Sequence, residues 1–79
     1  MKILLFARAR DLAGSGELEI ELASEATVAD LRRALGDRYP RLAPLLQRCA
    51  IAVDQEFAAE ETQIPPAAVV ALLPPVSGG

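Results

Sequence analysis

Two short apolar runs near opposite ends of the chain constrain its fold most strongly. Residues 3–7 and Val69–Leu73 contain only apolar residues, and each run is too short for a helix of ordinary length. Such runs are typical of strands buried on both faces, since a strand with one solvated face alternates apolar and polar side chains. We therefore expect both runs to lie in the centre of a sheet as a neighbouring, parallel pair.

The stretch ELEIEL at residues 17–22 carries the clearest local signal. Leu18, Ile20 and Leu22 alternate with glutamates, and this period of two predicts a strand with one buried face and its acids in solvent. Residues 8–16 contain charged side chains and two glycines. We expect them to form a loop that joins the first two strands into a hairpin with a long connection.

A capped helix is predicted to begin at Thr27. The Thr27 hydroxyl can accept a hydrogen bond from the backbone N–H of Asp30, and the Asp30 carboxylate suits the positive end of a helix. Pro40 ends the helix because proline cannot continue its hydrogen-bonding pattern. Spacings of three and four residues place four apolar side chains on one helical face: Val28, Leu31, Leu35 and Tyr39.

The second half of the chain predicts three more strands. We expect residues 41–48 to be irregular, with their leucines tucked under the sheet. Ala50–Val53 and residues 56–58 are predicted as short strands joined by a turn at residues 54–55, and Val69–Leu73 is predicted as the last strand.

The predicted order is therefore two strands, a helix and three strands. A hairpin and a crossing helix, with the last strand returning beside the first, form the β-grasp or ubiquitin-like arrangement of the α+β class. We expect a mixed sheet of about five strands with one main helix packed on one face. A β-grasp domain then spans residues 1–73, and residues 74–79 form an extended C-terminal tail that ends in two glycines.

Composition excludes several classes of function. The chain has no histidine and a single cysteine, Cys49, so a histidine-based metal site, a histidine acid–base catalyst and an internal disulfide are all impossible. A net charge of −3 with dispersed acids argues against a nucleic-acid partner. No apolar stretch reaches the roughly 18 residues of a membrane span, so we expect no membrane partner. A lone buried thiol fits the reducing cytosol, and we predict a cytoplasmic protein that binds no metal or cofactor itself.

The tail, PPVSGG, carries the candidate reactive group. From Thr62 to Gly79 no side chain is charged, so the one ionised group there is the terminal carboxylate. Glycine has no Cβ, and a Gly78-Gly79 end can therefore enter a channel too narrow for side chains. Pro74 and Pro75 stiffen the base of the tail, which favours projection away from the body.

A carboxylate becomes an acyl donor only after activation, and joining it to AMP supplies the leaving group. The chain has no Gly-rich phosphate loop to hold ATP. The activator must therefore be another protein, and this chain is its substrate.

Five segments of the chain carry a family resemblance: MKILLFARAR, TVADLRRAL, RYP, AVDQE and, most specifically, VVALLPPVSGG. They resemble the MoaD-type sulfur carriers, the small subunits of molybdopterin synthase in the ubiquitin-like ThiS family, over essentially the whole chain. The resemblance implies that an E1-like, MoeB-type adenylyltransferase adenylates Gly79 with ATP and that Gly79 becomes a thiocarboxylate. The chain itself would be a non-catalytic carrier subunit of a sulfurtransferase.

The resemblance further implies that the tail enters a large subunit of MoaE type, which supplies the catalytic side chains. The inserted residues would be Pro74, Pro75, Val76, Ser77 and Gly78. There Gly79 would give its sulfur to cyclic pyranopterin monophosphate and form the molybdopterin dithiolene. The family's complex is a heterotetramer of two large and two small subunits.

Four further positions match partner contacts in the family: Phe6, Arg10, Phe57 and Leu73. Phe6 and Leu73 fall in or next to predicted buried strands, where a core role is equally expected. Phe57 is the better candidate for an exposed contact because its strand is short and edge-like. Apolar side chains beside the tail would form a docking surface.

Three alternatives remain open at this point. The chain could carry sulfur for another product, such as the thiazole of thiamine or a thiolated tRNA base. It could be a ubiquitin-like modifier whose Gly79 forms isopeptide bonds. It could also be a plain binding module with an inert tail.

Overall fold

The structure is a computed structural model that describes residues 1–75, so Val76, Ser77, Gly78 and Gly79 of the predicted tail lie outside the described residues. The elements in chain order are β1 (Lys2–Leu5), α1 (Ala7–Ala13), β2 (Glu17–Glu19), α2 (Val28–Arg38), a 3-10 turn (Pro40–Leu42), α3 (Ala43–Leu46), β3 (Ala50–Val53), β4 (Glu56–Phe57) and β5 (Val69–Leu73). Within this part of the chain, no helix has the length and apolar character needed to cross a bilayer.

The strands form one mixed sheet in the order β2-β1-β5-β3-β4. The central pair, β1 and β5, is parallel, with Ile3 opposite Val70 and Leu5 opposite Leu72. The other three pairs are antiparallel. The predicted central parallel pair and the β-grasp arrangement with α2 as its main helix are therefore confirmed.

The core lies between one face of this sheet and the helices. The side chains that face α2 from β1, β3 and β5 are almost completely buried: Ile3, Leu5, Ile51, Val70 and Leu72. Val28, Leu31 and Leu35 of α2 are fully buried against them, as the spacing of three and four predicts. All the large buried side chains are apolar, and none of the described residues buries a charged or polar side chain.

The predicted N-terminal cap of α2 is present in full. The Thr27 hydroxyl accepts from the Asp30 backbone N–H at 3.2 Å, and the Asp30 carboxylate accepts from the Thr27 N–H at 2.9 Å. These bonds lower the pKa of Asp30. The helix ends at Arg38, and Pro40 opens the 3-10 turn that follows.

Residues 8–16 were expected to form a loop, and this prediction is wrong over most of the stretch. They contain α1, whose sequence ARARDLA is rich in strong helix formers. Ala9 is fully buried and anchors the helix, while Gly14 ends it at φ 76, a left-handed conformation that favours glycine. Seven residues are too few for a clear apolar period, so the burial of Ala9 decides the structure here.

Residues 41–48 are also more regular than predicted. They form most of the 3-10 turn and all of α3, with prolines in the first turn of each. Leu42 and Leu46 are buried in the core and Leu45 packs against it, so the expectation that leucines tuck under the sheet is confirmed.

Arg32 joins three parts of the fold that are distant in sequence. Its guanidinium, on α2, donates to both carboxylate oxygens of Glu60, with distances of 3.0 and 2.6 Å. It also donates to the carbonyl oxygens of Leu46 and Cys49, the latter at 3.0 Å. Because Arg32 is only 19% exposed, these charge-assisted bonds hold α3 and the start of β3 against α2.

Replacing Arg32 by Met is expected to destabilise the protein by about 1–3 kcal/mol, since two carbonyls and a carboxylate lose their donor. The matched variant Arg33→Met removes an exposed ion pair with Asp30 at 3.9 Å and is expected to cost less than about 0.5 kcal/mol. Urea unfolding at pH 7 measures both. Equal losses in the two variants would show that Arg32 acts only as a surface charge.

The ion pair between Arg32 and Glu60 also predicts that the stability of the protein depends on pH. The hydrogen bonds and charge of Arg32 lower the pKa of Glu60 below its ordinary value of 4.5. The stability from this pair is therefore complete above pH 4.5 and is lost as the pH falls through the lower folded pKa. The difference in free energy of unfolding between wild type and Arg32→Met should therefore become smaller as the pH is lowered.

The predicted turn at residues 54–55 is a two-residue hairpin loop between Val53 and Glu56. Asp54 has φ 48 and Gln55 φ 72, the left-handed pair of a type I′ turn. Asp54 also binds the start of β5: its carboxylate accepts from the Val69 N–H at 2.9 Å, and its own N–H donates to the Val69 carbonyl at 2.9 Å. The turn thus locks β3 to the beginning of β5.

Gln55→Gly should stabilise the protein by about 0.5–1 kcal/mol, because glycine adopts this left-handed conformation without the clash of a Cβ. The same change at Gln47, whose φ is −67, should instead destabilise by a similar amount. Thermal melting of the two variants tests the turn geometry. A fall in melting temperature for Gln55→Gly would refute the type I′ geometry of the turn.

Candidate functional site

The face of the sheet that points away from α2 is largely apolar and carries exposed side chains, although Ala52 within it is only 6% exposed. Cross-strand register places the following side chains in one row across it: Glu17, Leu4, Ala71, Ala52 and Phe57. Ala50 lies opposite Leu73 at one end of this face, and Lys2 lies beside Val69 at the other. We call this surface, formed by the outward side chains of the five strands together with Phe6, the outer face.

The large apolar side chains with the highest exposure among residues 1–75 all belong to the outer face. They are Phe57 at 77%, Phe6 at 46% and Val69 at 41%. Leu4 and Leu73 lie half-buried between them. Exposing apolar side chains to water is unfavourable. An apolar surface of this kind on a small protein therefore marks a site of interaction.

This finding corrects the prediction that residues 3–7 and Val69–Leu73 are buried on both faces. Burial alternates along β1 and β5: Ile3 and Leu5 are buried while Leu4 is only half-buried, and Val70 is buried while Val69 is exposed. One layer of helices covers one face only. The second apolar set in each run therefore belongs to the outer face and not to the core.

Phe6 and Leu73 lie at the same end of the sheet. Leu5 pairs with Leu72 in parallel register, and Phe6 and Leu73 are the next residues along the two segments. Immediately afterwards Ala7 turns the chain into α1 with φ 50, a conformation that costs alanine about 1 kcal/mol. This sharp turn leaves Phe6 at the end of β1, next to the point where Pro74 follows Leu73.

The other predicted contact positions are placed differently. Phe57 lies on the outer face, but in edge strand β4 and away from the tail base. Arg10 lies on α1 and outside the apolar rows; its side chain passes Gly16, where a Cβ would lie 3.5 Å from Nε. Pro74 is half-buried and Pro75 exposed.

Four outer-face residues were missed by the sequence analysis: Leu4, Ala52, Val69 and Ala71. The sequence did contain a signal for them. Two strands were predicted to be apolar on both faces, but only one main helix was predicted, and one helix can cover only one side of a sheet. Counting layers would have identified the second apolar face.

Charges lie at the margins of the outer face. At the β2 edge, Glu17 approaches the Lys2 ammonium at 3.8 Å and Glu19 binds the N-terminal amine at 3.2 Å. Asp54 and Glu56 lie at the opposite edge, in the β3–β4 hairpin. The apolar rows between them present no ionised group apart from Lys2.

The described residues hold neither a reactive thiol nor a metal-binding cluster. Cys49 is buried, and burial raises the pKa of its thiol although the nearby Arg32 charge opposes this, so it is a poor nucleophile. Among residues 1–75 no three Asp, Glu, His or Cys side chains are grouped so that they could hold a metal ion.

Comparison with known proteins matches this geometry. The ThiS family model matches residues 3–79. The chain is 36% identical to the molybdopterin synthase sulfur carrier subunit of Dictyostelium discoideum, covering 99% of this chain and 94% of that protein. It is 33% identical to that of Caenorhabditis briggsae, covering 100% and 96%.

Solved structures agree. The small archaeal modifier protein 1 of Haloferax volcanii superposes with a TM-score of 0.85 at 28% identity, covering 95% of each chain. Subunit 1 in the complex of subunits 1 and 2 of molybdopterin-converting factor from Helicobacter pylori gives a TM-score of 0.69 at 26% identity, covering 99% of this chain and 96% of that one. The full-length family match, the β-grasp topology and these relatives together show that the chain belongs to the ThiS family of ubiquitin-like sulfur carriers.

Proposed function

We propose that this chain is the sulfur carrier subunit of a molybdopterin synthase and that its outer face docks on the large subunit. The observation that carries the proposal is the uncovered apolar face beside the base of a Gly-Gly tail, in a chain whose relatives are named molybdopterin synthase sulfur carrier subunits. The subunit 1–subunit 2 complex of the Helicobacter pylori relative supports a large-subunit partner.

The proposed chemistry takes place at Gly79. A MoeB-type enzyme joins the terminal carboxylate to the α-phosphate of ATP, and pyrophosphate leaves. A sulfur nucleophile then takes the acyl group, AMP leaves and the terminus becomes a thiocarboxylate. In the active site of the large subunit this sulfur passes to cyclic pyranopterin monophosphate, and hydrolysis returns Gly79 to a carboxylate. A second charged carrier supplies the other sulfur of the dithiolene.

In this proposal the described residues position the tail for the reaction. Phe6 and Leu73 lie at the point from which Pro74 and Pro75 continue toward the terminus, so contact with a partner there fixes the start of the tail. Gly78 and Gly79 lack side chains and suit a narrow channel. Catalytic side chains are assigned to the partners in this proposal.

Assembly into a heterotetramer of two large and two small subunits and a cytoplasmic location are parts of the same proposal. The apolar outer face fits an interface core, which is depleted in charge and enriched in aromatic side chains. A lone buried thiol is consistent with a reducing compartment.

Phe57→Ser should weaken binding to the purified large subunit by about tenfold or more, because a well-packed aromatic anchor contributes on the order of 2 kcal/mol. Its 77% exposure predicts almost no change in the stability of the free carrier. Gln47→Ser, an exposed change on the helical side, is the matched control and should bind as wild type does. Isothermal titration calorimetry measures all three affinities, and wild-type affinity of Phe57→Ser would exclude Phe57 from the interface.

Incubation with ATP, a MoeB-type enzyme and a sulfur source should replace one terminal oxygen by sulfur. Intact-mass spectrometry should show a gain equal to the difference between the two atoms. One alanine added after Gly79 should abolish both this gain and the formation of molybdopterin, with an unchanged melting temperature, because the activated carboxylate would be displaced from the channel.

Adding the large subunit and the pterin precursor to the products of this assay distinguishes the remaining candidate functions. A sulfur-charged carrier that yields no molybdopterin with the large subunit and the pterin precursor would indicate a carrier for another product. Conjugation of Gly79 to lysines without a mass gain on the free chain would indicate a protein modifier. Absence of any change would refute every carrier role.

A further inference from the structure

The tail leaves the fold at an end of the sheet where three chain segments meet. β1 and β5 are parallel, so their carboxyl ends, Leu5 and Leu73, lie at the same end. β3 is antiparallel to β5 and begins there, with Ala50 opposite Leu73. α1, which directly follows Phe6, packs against β5 at this end.

Three exposed arginines lie within a few residues of this exit along the chain. Arg8 is two residues beyond Phe6 in the first turn of α1, and Arg48 is two residues before Ala50. Arg10 follows on α1. All three are solvent-exposed, and we call them the arginine rim.

The rim has no carboxylate partner within residues 1–75. Lys2, Arg32 and Arg33 each form an ion pair there. The basic side chains without one are Arg8, Arg10, Arg38, Arg41 and Arg48. Asp11 is the acid of α1, and it forms no ion pair with the rim. Among the described residues the rim therefore carries positive charge that no ion pair offsets, on a protein of net charge −3.

Two acids lie at the opposite end of β5. Asp54 and Glu56 belong to the β3–β4 hairpin beside the start of β5. Glu60 lies elsewhere, because Arg32 joins its carboxylate to the carbonyl of Cys49, next to the start of β3. The hairpin acids are thus separated from the rim by the length of β5.

The reach of the tail determines what the rim can contact. Residues 74–79, at about 3.3 Å each, span up to about 20 Å when extended. A nucleotide or pterin phosphate at Gly79 then lies well beyond the Debye length of about 8 Å at physiological salt. The rim is consequently suited to groups at the mouth of the partner's channel, not to phosphates at its end.

We propose that the arginine rim, through Arg8 and Arg48 in particular, binds acidic side chains of the large subunit at the mouth of the channel that receives the tail. The inference rests on the proposed function and on the continuity of the rim with Phe6 and Leu73 of the outer face. Its role is to orient the encounter: the rim faces the channel mouth, while the acidic β3–β4 hairpin is repelled from it. Complementary charge of this kind acts mainly on the rate of association.

The test compares two double variants that remove equal charge from unpaired, exposed arginines. Arg8→Gln with Arg48→Gln changes the rim. Arg38→Gln with Arg41→Gln changes the helical side, where these arginines line a groove with Leu12 and Ala13 at the far end of α1. Stopped-flow mixing with the purified large subunit gives association and dissociation rates from low to high salt, and thermal melting verifies the fold of each variant.

The rim variant should associate about 3- to 10-fold more slowly at low salt and show a shallower salt dependence, with the control variant close to wild type. Wild-type association rates for the rim variant, or equal reductions in the rate for both variants, would refute the role of the rim without affecting the proposed docking of the outer face. A loss seen only with the adenylating enzyme would overturn the assignment to the large subunit. Failure of the wild-type chain to associate at all would overturn the proposed function, and the rim with it.

Discussion

The parallel pairing of β1 with β5 is the contact on which the rest of the structure depends. It joins segments from the two ends of the described chain, with Leu5 opposite Leu72. Closing so long a loop costs entropy that only cooperative burial can offset, and Ile3, Val70 and Leu72 are buried completely at this seam. The same pairing brings Phe6, α1 and the start of β3 to the exit of the tail.

The division of the sheet into two faces explains how so small a body can serve a partner. One face meets α2, the 3-10 turn and α3 and supplies the core. The other stays apolar without a helical layer, which gives no stability to the free chain and fits the proposed docking surface. Arg32 supports this arrangement from the helical side, because it holds the carbonyl of Cys49 just before β3 begins beside Leu73.

Local signals predicted those elements whose stability is local. Thr27 and Asp30 form their capping box between near neighbours, and Asp54-Gln55 turns within two residues. The alternation in residues 17–22 predicted β2, although its ladder covers only Glu17–Glu19. By contrast α1 was missed, because its helix depends on the burial of Ala9 against distant segments. The positions of Phe6, Leu73 and Phe57 on one face likewise follow from sheet order, which no local pattern contains.

The sequence by itself determined the strands, the capped helix and the β-grasp order, while the tail that ends in Gly79 stays a prediction. Each of the determined features follows from residue spacing or from proline and glycine. Only the tertiary structure decided that half of each apolar run faces outward and that arginines without an ion pair among residues 1–75 lie near the end of β5 along the chain. The physical reason is that exposure and charge pairing are properties of neighbours in space, and those neighbours come from β1, α1, β3 and β5 together.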